Sequence, residues 1–271
     1  MIEDKEFLAL EKKNQKLNKQ NDKIEEQRNK KNLSDLKKYE HEEEIRPIKE
    51  KKRKKRKYLR SLSNPPKRGV LEEVGNSVTH GVGALLAVAA FIILLCNSNT
   101  TFEIIASFVY GICMIVMMLM SCLYHAFKSG SKAKFLWRRF DYSSIYLLIG
   151  GTFAPIYLVY WGNTLGIVLF IIQWVLIITG ITFVCVFGPG RLRLLHYSMY
   201  FAIGWSGVFF IPDFINNNLP LLWMILGGGV VYTLGMIPFA KKGSKSAHFI
   251  WHFFVIAGAA VQYLGILFFI Y

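Results

Sequence analysis

The chain has 271 residues, is 53% hydrophobic and carries a formal net charge of +15, yet these averages describe no single part of it. Residues 1–66 hold 21 of the 33 Lys+Arg and 13 of the 18 Asp+Glu, which leaves the rest almost free of charge. A water-soluble domain is excluded for that remainder, and a cleaved secretory leader for the first 66 residues, because they contain no apolar run long enough to form its core.

Residues 1–66 read as a charged cytoplasmic tail. Leu10, Leu17 and Ile24 recur every seven residues, but Asn14, Asn21 and Arg28 stand at the intervening positions. Any coiled coil is therefore weak, and the stretch reads as a charge-laced helix or a disordered arm. Residues 46–57 differ from it. There Lys51, Lys52, Arg53, Lys54, Lys55, Arg56 and Lys57 form an unbroken cationic run, expected to be drawn to anionic lipid headgroups rather than to nucleic acid, since the spans that follow fix its location.

Seven apolar stretches follow, at about 78–96, 104–127, 142–160, 165–187, 194–212, 219–240 and 247–271. Each is near the roughly 20 residues that a helix needs to cross the hydrocarbon layer. Lys128, Lys132, Lys134, Arg138 and Arg139 follow the second, Arg191 and Arg193 the fourth, and Lys241, Lys242 and Lys245 the sixth; the other three loops have no Lys or Arg. Cytoplasmic loops are the ones that retain such residues, so the sequence predicts a multi-pass protein of the cell membrane, with its N-terminus cytoplasmic and Tyr271 outside. That is the reverse of the G-protein-coupled receptors, and the last span has no lysine to carry a retinal Schiff base. The expected fold is all-α, a seven-helix transmembrane bundle over residues 67–271. Cys96, Cys113, Cys122 and Cys185 lie in apolar stretches without metal-type spacing and read as reduced packing residues.

Ionisable groups inside lipid are costly, so the few present are functional candidates by default. Glu73, Asn76 and His80, three and four apart, share a face as the chain enters the first span. They suit either interfacial anchoring and capping or a set of groups that orients metal ligands from behind. Ser121 and His125 close the second span on one face, and Asp141 opens the third. His196 opens the fifth beside Arg191 and Arg193 and reads as a headgroup contact. His248 and His252 open the last, four apart on one helical face, a spacing that suits two ligands of one metal. With the topology above, all of these lie toward the cytoplasmic face.

His125 can supply a third imidazole, and three imidazoles with one open position is the ligand set of catalytic zinc, although iron and other transition metals accept the same donors. Phe249, Ile250 and Trp251 separate the paired histidines, so the glutamate base of HExxH enzymes is missing. Asp141 is the evident base to deprotonate a zinc-activated water, with Ser121 placed to orient that water or a substrate carbonyl.

Taken together, Glu73-x2-Asn76-x3-His80, Ser121-x3-His125, Asp141-Tyr142 after a basic loop, and His248-x3-His252 resemble the hemolysin III branch of the progestin and adipoQ receptor superfamily, over about residues 70–271. The resemblance implies an intramembrane Zn2+ ligated by His125, His248 and His252, with Asp141 acting on the bound water and Ser121 beside it. Related receptors and alkaline ceramidases are linked to hydrolysis of lipid amides, whereas bacterial members carry a hemolysin name and are described as pore formers. The long charged tail departs from the short N-terminus of bacterial members.

Two functions are therefore expected to compete, with a receptor holding structural zinc as a third. One is a zinc-dependent hydrolase of an amide in a membrane lipid. The other is a pore, which needs polar residues running through the bundle, whereas Thr152, Gln173, Thr179, Thr182, Ser206 and Gln262 are scattered and uncharged. Gly81, Gly83, Ala87, Gly150, Gly151, Gly258 and Ala259 predict closely packed helices instead.

Overall fold

The computed structural model describes residues 3–240 and 246–271. Lys241, Lys242 and Lys245, which helped to set the expected orientation, and the side chain of Leu10 lie outside the described residues. The chain divides into two compact units, Met1–Ser61 and Leu62–Tyr271.

Helix α1 (Glu3–Ser63) forms the first, so the tail is a helix rather than a disordered arm. Ion pairs at helical spacing lie along it, Lys30–Glu26 and Arg46–Glu43 at 2.6 Å and Lys54–Glu50 at 2.8 Å. Leu17 and Ile24 stand exposed, so two positions of the seven-residue repeat bury nothing.

The second unit contains α2 (Val70–Asn97), α3 (Thr101–Ala126), α4 (Lys132–Pro155) with a π-helical turn at Ile156–Tyr160, α5 (Thr164–Phe187), α6 (Arg193–Gly204), a 3-10 turn at Ser206–Phe210, α7 (Ile211–Asn217), α8 (Leu219–Ala240) and α9 (Ala247–Phe269). Among the described residues, seven helical stretches are long and apolar enough to cross a membrane, α6 through α7 together making the fifth. Helix α2 packs on α3, α3 on α4, α4 on α5 and α8 on α9, and α9 returns to α2. Helix α4 is the most buried span, while the more apolar α5 is mostly exposed, as expected where the outer solvent is lipid.

Four sequence expectations need correction. Helices α2 and α4 begin about eight and ten residues before the apolar stretches at 78 and 142, because partners inside the bundle satisfy the polar groups of their opening turns. The Ser131 hydroxyl caps α4 by accepting from the Lys134 amide at 3.0 Å, which makes Lys134, Arg138 and Arg139 helical rather than loop residues. The fifth span is not one helix: glycines at 204 and 207 weaken it and Pro212 lacks an amide donor, so it breaks and restarts as α7. Among the cysteines, only Cys113 is buried; Cys96 and Cys185 are exposed and pack no interior.

Small residues set the close approaches. Gly83, Ala87, Gly150, Gly151, Gly258 and Ala259 are all buried between helices. Gly180 lets the Tyr146 ring lie directly on the α5 backbone, and Gly166 admits the Tyr157 carbonyl of the π-helical turn.

Candidate metal centre

Four helices bring their polar residues to one end of the bundle. His125 comes from the last turn of α3, His248 and His252 from the first two turns of α9, Glu73, Asn76, Thr79 and His80 from the start of α2, and Lys134 and Asp141 from α4. His125 and His252 are buried, and one ring nitrogen from each of His125, His248 and His252 lies within 4.8 Å of the others. The His125 and His248 Nε2 atoms are 3.2 Å apart. Two nitrogens at about 2.0–2.1 Å from a tetrahedral zinc stand about 3.3 Å apart, so this spacing fits two ligands of one ion.

Contacts behind the imidazoles bear on which nitrogen faces inward. The Glu73 Oε2 lies 2.6 Å from His125 Nδ1, where the ring donates to the carboxylate and leaves Nε2 free to coordinate. The Asn76 amide nitrogen is 3.4 Å from the same Nδ1. The Thr79 hydroxyl donates to the Gly75 and Asn76 carbonyls at 2.9 and 3.0 Å and can accept from His252 Nδ1 at 3.3 Å. His80 stacks on His252 with ring centroids 3.8 Å apart, and neither of its buried ring nitrogens has a hydrogen-bond partner among the described residues. The donor set therefore suits zinc or another imidazole-preferring transition ion.

A cavity of about 170 Å³ opens beside the histidines. His80, Ser121, Asp141, His248 and His252 line it, with the Ser121 hydroxyl beside the Asp141 carboxyl. The rest of the lining is mainly apolar, with residues such as Leu148, Phe153, Phe201, Trp205 and Val255. Thr152 and Gln262 also face it, whereas Thr179 and Thr182 only donate to carbonyls of their own helix at 2.8 Å.

Glu73, Asn76, His80, Ser121, His125, Asp141, His248 and His252 thus fall in one cluster, His196 is not among them, and the tail cations belong to the other unit. His196 does not touch headgroups: it is fully buried, with Nδ1 3.1 Å from the Tyr146 hydroxyl. The strong polarity of its neighbours Arg191 and Arg193 hid an inward-facing ring. Sequence reasoning missed Thr79 and Lys134. Lys134 is completely buried and pairs with Glu73 at 2.8 Å. The spacing Lys134, Arg138, Asp141, one face of one helix, was the available signal.

A family model described as "Haemolysin-III related" matches residues 69–263. The "Hemolysin-3" of Bacillus cereus is 35% identical over 205 residues, covering 74% of this chain and 93% of that protein. The "Hemolysin-3 homolog" of Bacillus subtilis (strain 168) is 32% identical over 204 residues, covering 74% and 95%. The human "Monocyte to macrophage differentiation factor" is 26% identical over 204 residues, covering 72% and 83%. With a matching region that takes in α2 to most of α9 and every residue of the histidine cluster, the chain belongs to the haemolysin-III-related family.

Proposed function

We propose that this membrane protein is a zinc-dependent hydrolase of lipid amides, its ion held by His125, His248 and His252. The observation that carries the reading is the convergence of three imidazoles beside an apolar cavity, whose wall includes two of them, His248 and His252, together with a carboxyl and a hydroxyl. Zinc, when bound, supplies Lewis acidity that polarises a carbonyl and brings the pKa of water toward about 7. Asp141 takes a proton from the attacking water at a carboxylate oxygen. Water oxygen bonds to the amide carbon, the C–N bond breaks, and Asp141 returns the proton to the departing amine nitrogen. Ser121 orients the water or the carbonyl through its hydroxyl, and the apolar walls take the acyl chain and exclude bulk water.

The protein is assigned to the cell membrane with its N-terminus cytoplasmic, and Lys51 to Lys57 to contact with anionic headgroups. The cationic loops and tail support both assignments.

A pore is the second reading, favoured by the name that the two Bacillus relatives carry. Elemental analysis of the detergent-purified protein beside His248→Ala/His252→Ala, followed by a lipid-amide hydrolysis assay, separates the two. The hydrolase reading expects about one zinc per chain, lost in the variant, and release of amine from ceramide-like substrates. A metal-free, folded wild type that conducts ions in planar bilayers would put the pore first.

A further inference from the structure

We propose that Lys134 is a positioning residue for the metal centre, acting on His125 through Glu73; the inference rests on the metal-site reading above and not on the hydrolase reading. Lys134 is completely buried. Its Nζ lies 2.8 Å from Glu73 Oε1, 3.1 Å from the Phe127 carbonyl and 3.5 Å from the His125 carbonyl, and 4.8 Å from the centre of the Tyr124 ring. Glu73 is also buried, and its other oxygen, Oε2, is the one 2.6 Å from His125 Nδ1.

The carboxylate is thus a bridge with a cation on one oxygen and a ligand ring on the other. A buried carboxylate without a countercharge is strongly disfavoured, and one held by a single contact can rotate about its terminal bond. Lys134 removes both freedoms. It offsets the charge of Glu73 and fixes Oε1, which leaves Oε2 directed at His125 Nδ1. His125 in turn keeps Nε2 toward His248. The same ammonium meets the carbonyls at the end of α3, and Asp141 follows Lys134 by two turns of α4. One cation therefore ties the helix carrying the proposed base to the helix carrying a proposed ligand.

A simpler role is a clasp that only joins α3 to α4 through those carbonyls, and a double-mutant cycle separates the two. Wild type, Lys134→Met, Glu73→Gln and the double variant are stripped of metal in detergent. Zinc affinity is then measured by chelator competition, and absorption spectra are recorded after loading with Co2+. Each single change should weaken zinc by about 10–100-fold and alter the cobalt ligand-field bands, and the double variant should bind no more weakly than the worse single one. Lys134→Met with wild-type affinity, or with an equal loss in the Glu73→Gln background, would overturn the proposal. If Lys134→Met alone does not fold, the double variant leaves no uncompensated charge. Its cobalt spectrum and zinc affinity should match those of Glu73→Gln, and a difference would overturn the proposal. Failure of wild type to take any metal would sink the metal-site reading and this inference with it; metal in wild type with unaffected variants would sink only the inference.

Discussion

A ligand histidine works only if one ring nitrogen is kept unprotonated toward the ion, and the fold sets an acceptor behind two of the three rings. For His252 it is Thr79, whose hydroxyl hydrogen is committed to backbone carbonyls and whose lone pair faces Nδ1. Thr79→Val keeps the shape and removes the acceptor, so zinc affinity should fall about tenfold by chelator competition, and Thr79→Ser should restore it. Asp141 lines the cavity and is not one of the converging imidazoles. Asp141→Asn should therefore retain zinc and lose turnover by about 10²–10⁴-fold, whereas His252→Ala should lose zinc; normal hydrolysis by Asp141→Asn would refute the proposed base. The histidines were legible because an imidazole in an apolar span is conspicuous. Thr79 was not, since threonine is unremarkable in a helix, and Lys134 had only its spacing with Arg138 and Asp141 as a signal, because a lysine between a turn and a span reads as a topological marker until its distant partner Glu73 is known.

At the scale of elements, apolar runs reported where the chain crosses but not where its helices start. Glu72 and Glu73, and Lys134 through Asp141, lower the hydropathy of the opening turns, and only the folded bundle reveals that many of these groups face inward. The break in the fifth span leaves a signal in Gly204, Gly207 and Pro212 that the continuous apolar run concealed, whereas the π-helical turn after Pro155 leaves none, its shape depending on α5. Gly166 accommodates the Tyr157 carbonyl of that turn, a backbone atom that cannot step aside. Gly166→Ala should cost about 1–3 kcal/mol and lower the thermal unfolding midpoint in detergent, with the histidine cluster unaffected. The cationic end of α1 gives a different test, because its side chains are exposed from Lys51 to Lys57. In full-length protein reconstituted into nanodiscs, trypsin should cut this stretch more slowly when anionic lipid is present, and added salt should abolish the protection. Equal cleavage in neutral and anionic discs would remove the headgroup assignment, and protection by added RNA instead would redirect it to nucleic acid.

For the molecule as a whole, topology decides which side of the membrane holds the candidate metal centre. Glu73, His125, Asp141 and His248 sit at the ends of α2, α3, α4 and α9 that lie on the side from which the chain enters at Val70. The centre and the start of the first span therefore share one face, and an odd number of crossings puts Tyr271 on the other. The sequence carries the sign of that assignment in its basic loops, with amendments: Lys134 is consumed by Glu73, and Arg138 and Arg139 lie within α4, so these do not report on the loop's environment, while Lys128 and Lys132 remain. Alkaline phosphatase fused after Tyr271 should be active only if the C-terminus is exported, and a fluorescent protein fused there should be dark under the same condition. Active phosphatase would put the centre at the cytoplasmic face, where it meets substrates from the inner leaflet. An inactive fusion would invert the bundle, expose the centre to the outside and leave the cationic tail in a compartment that it was not expected to occupy.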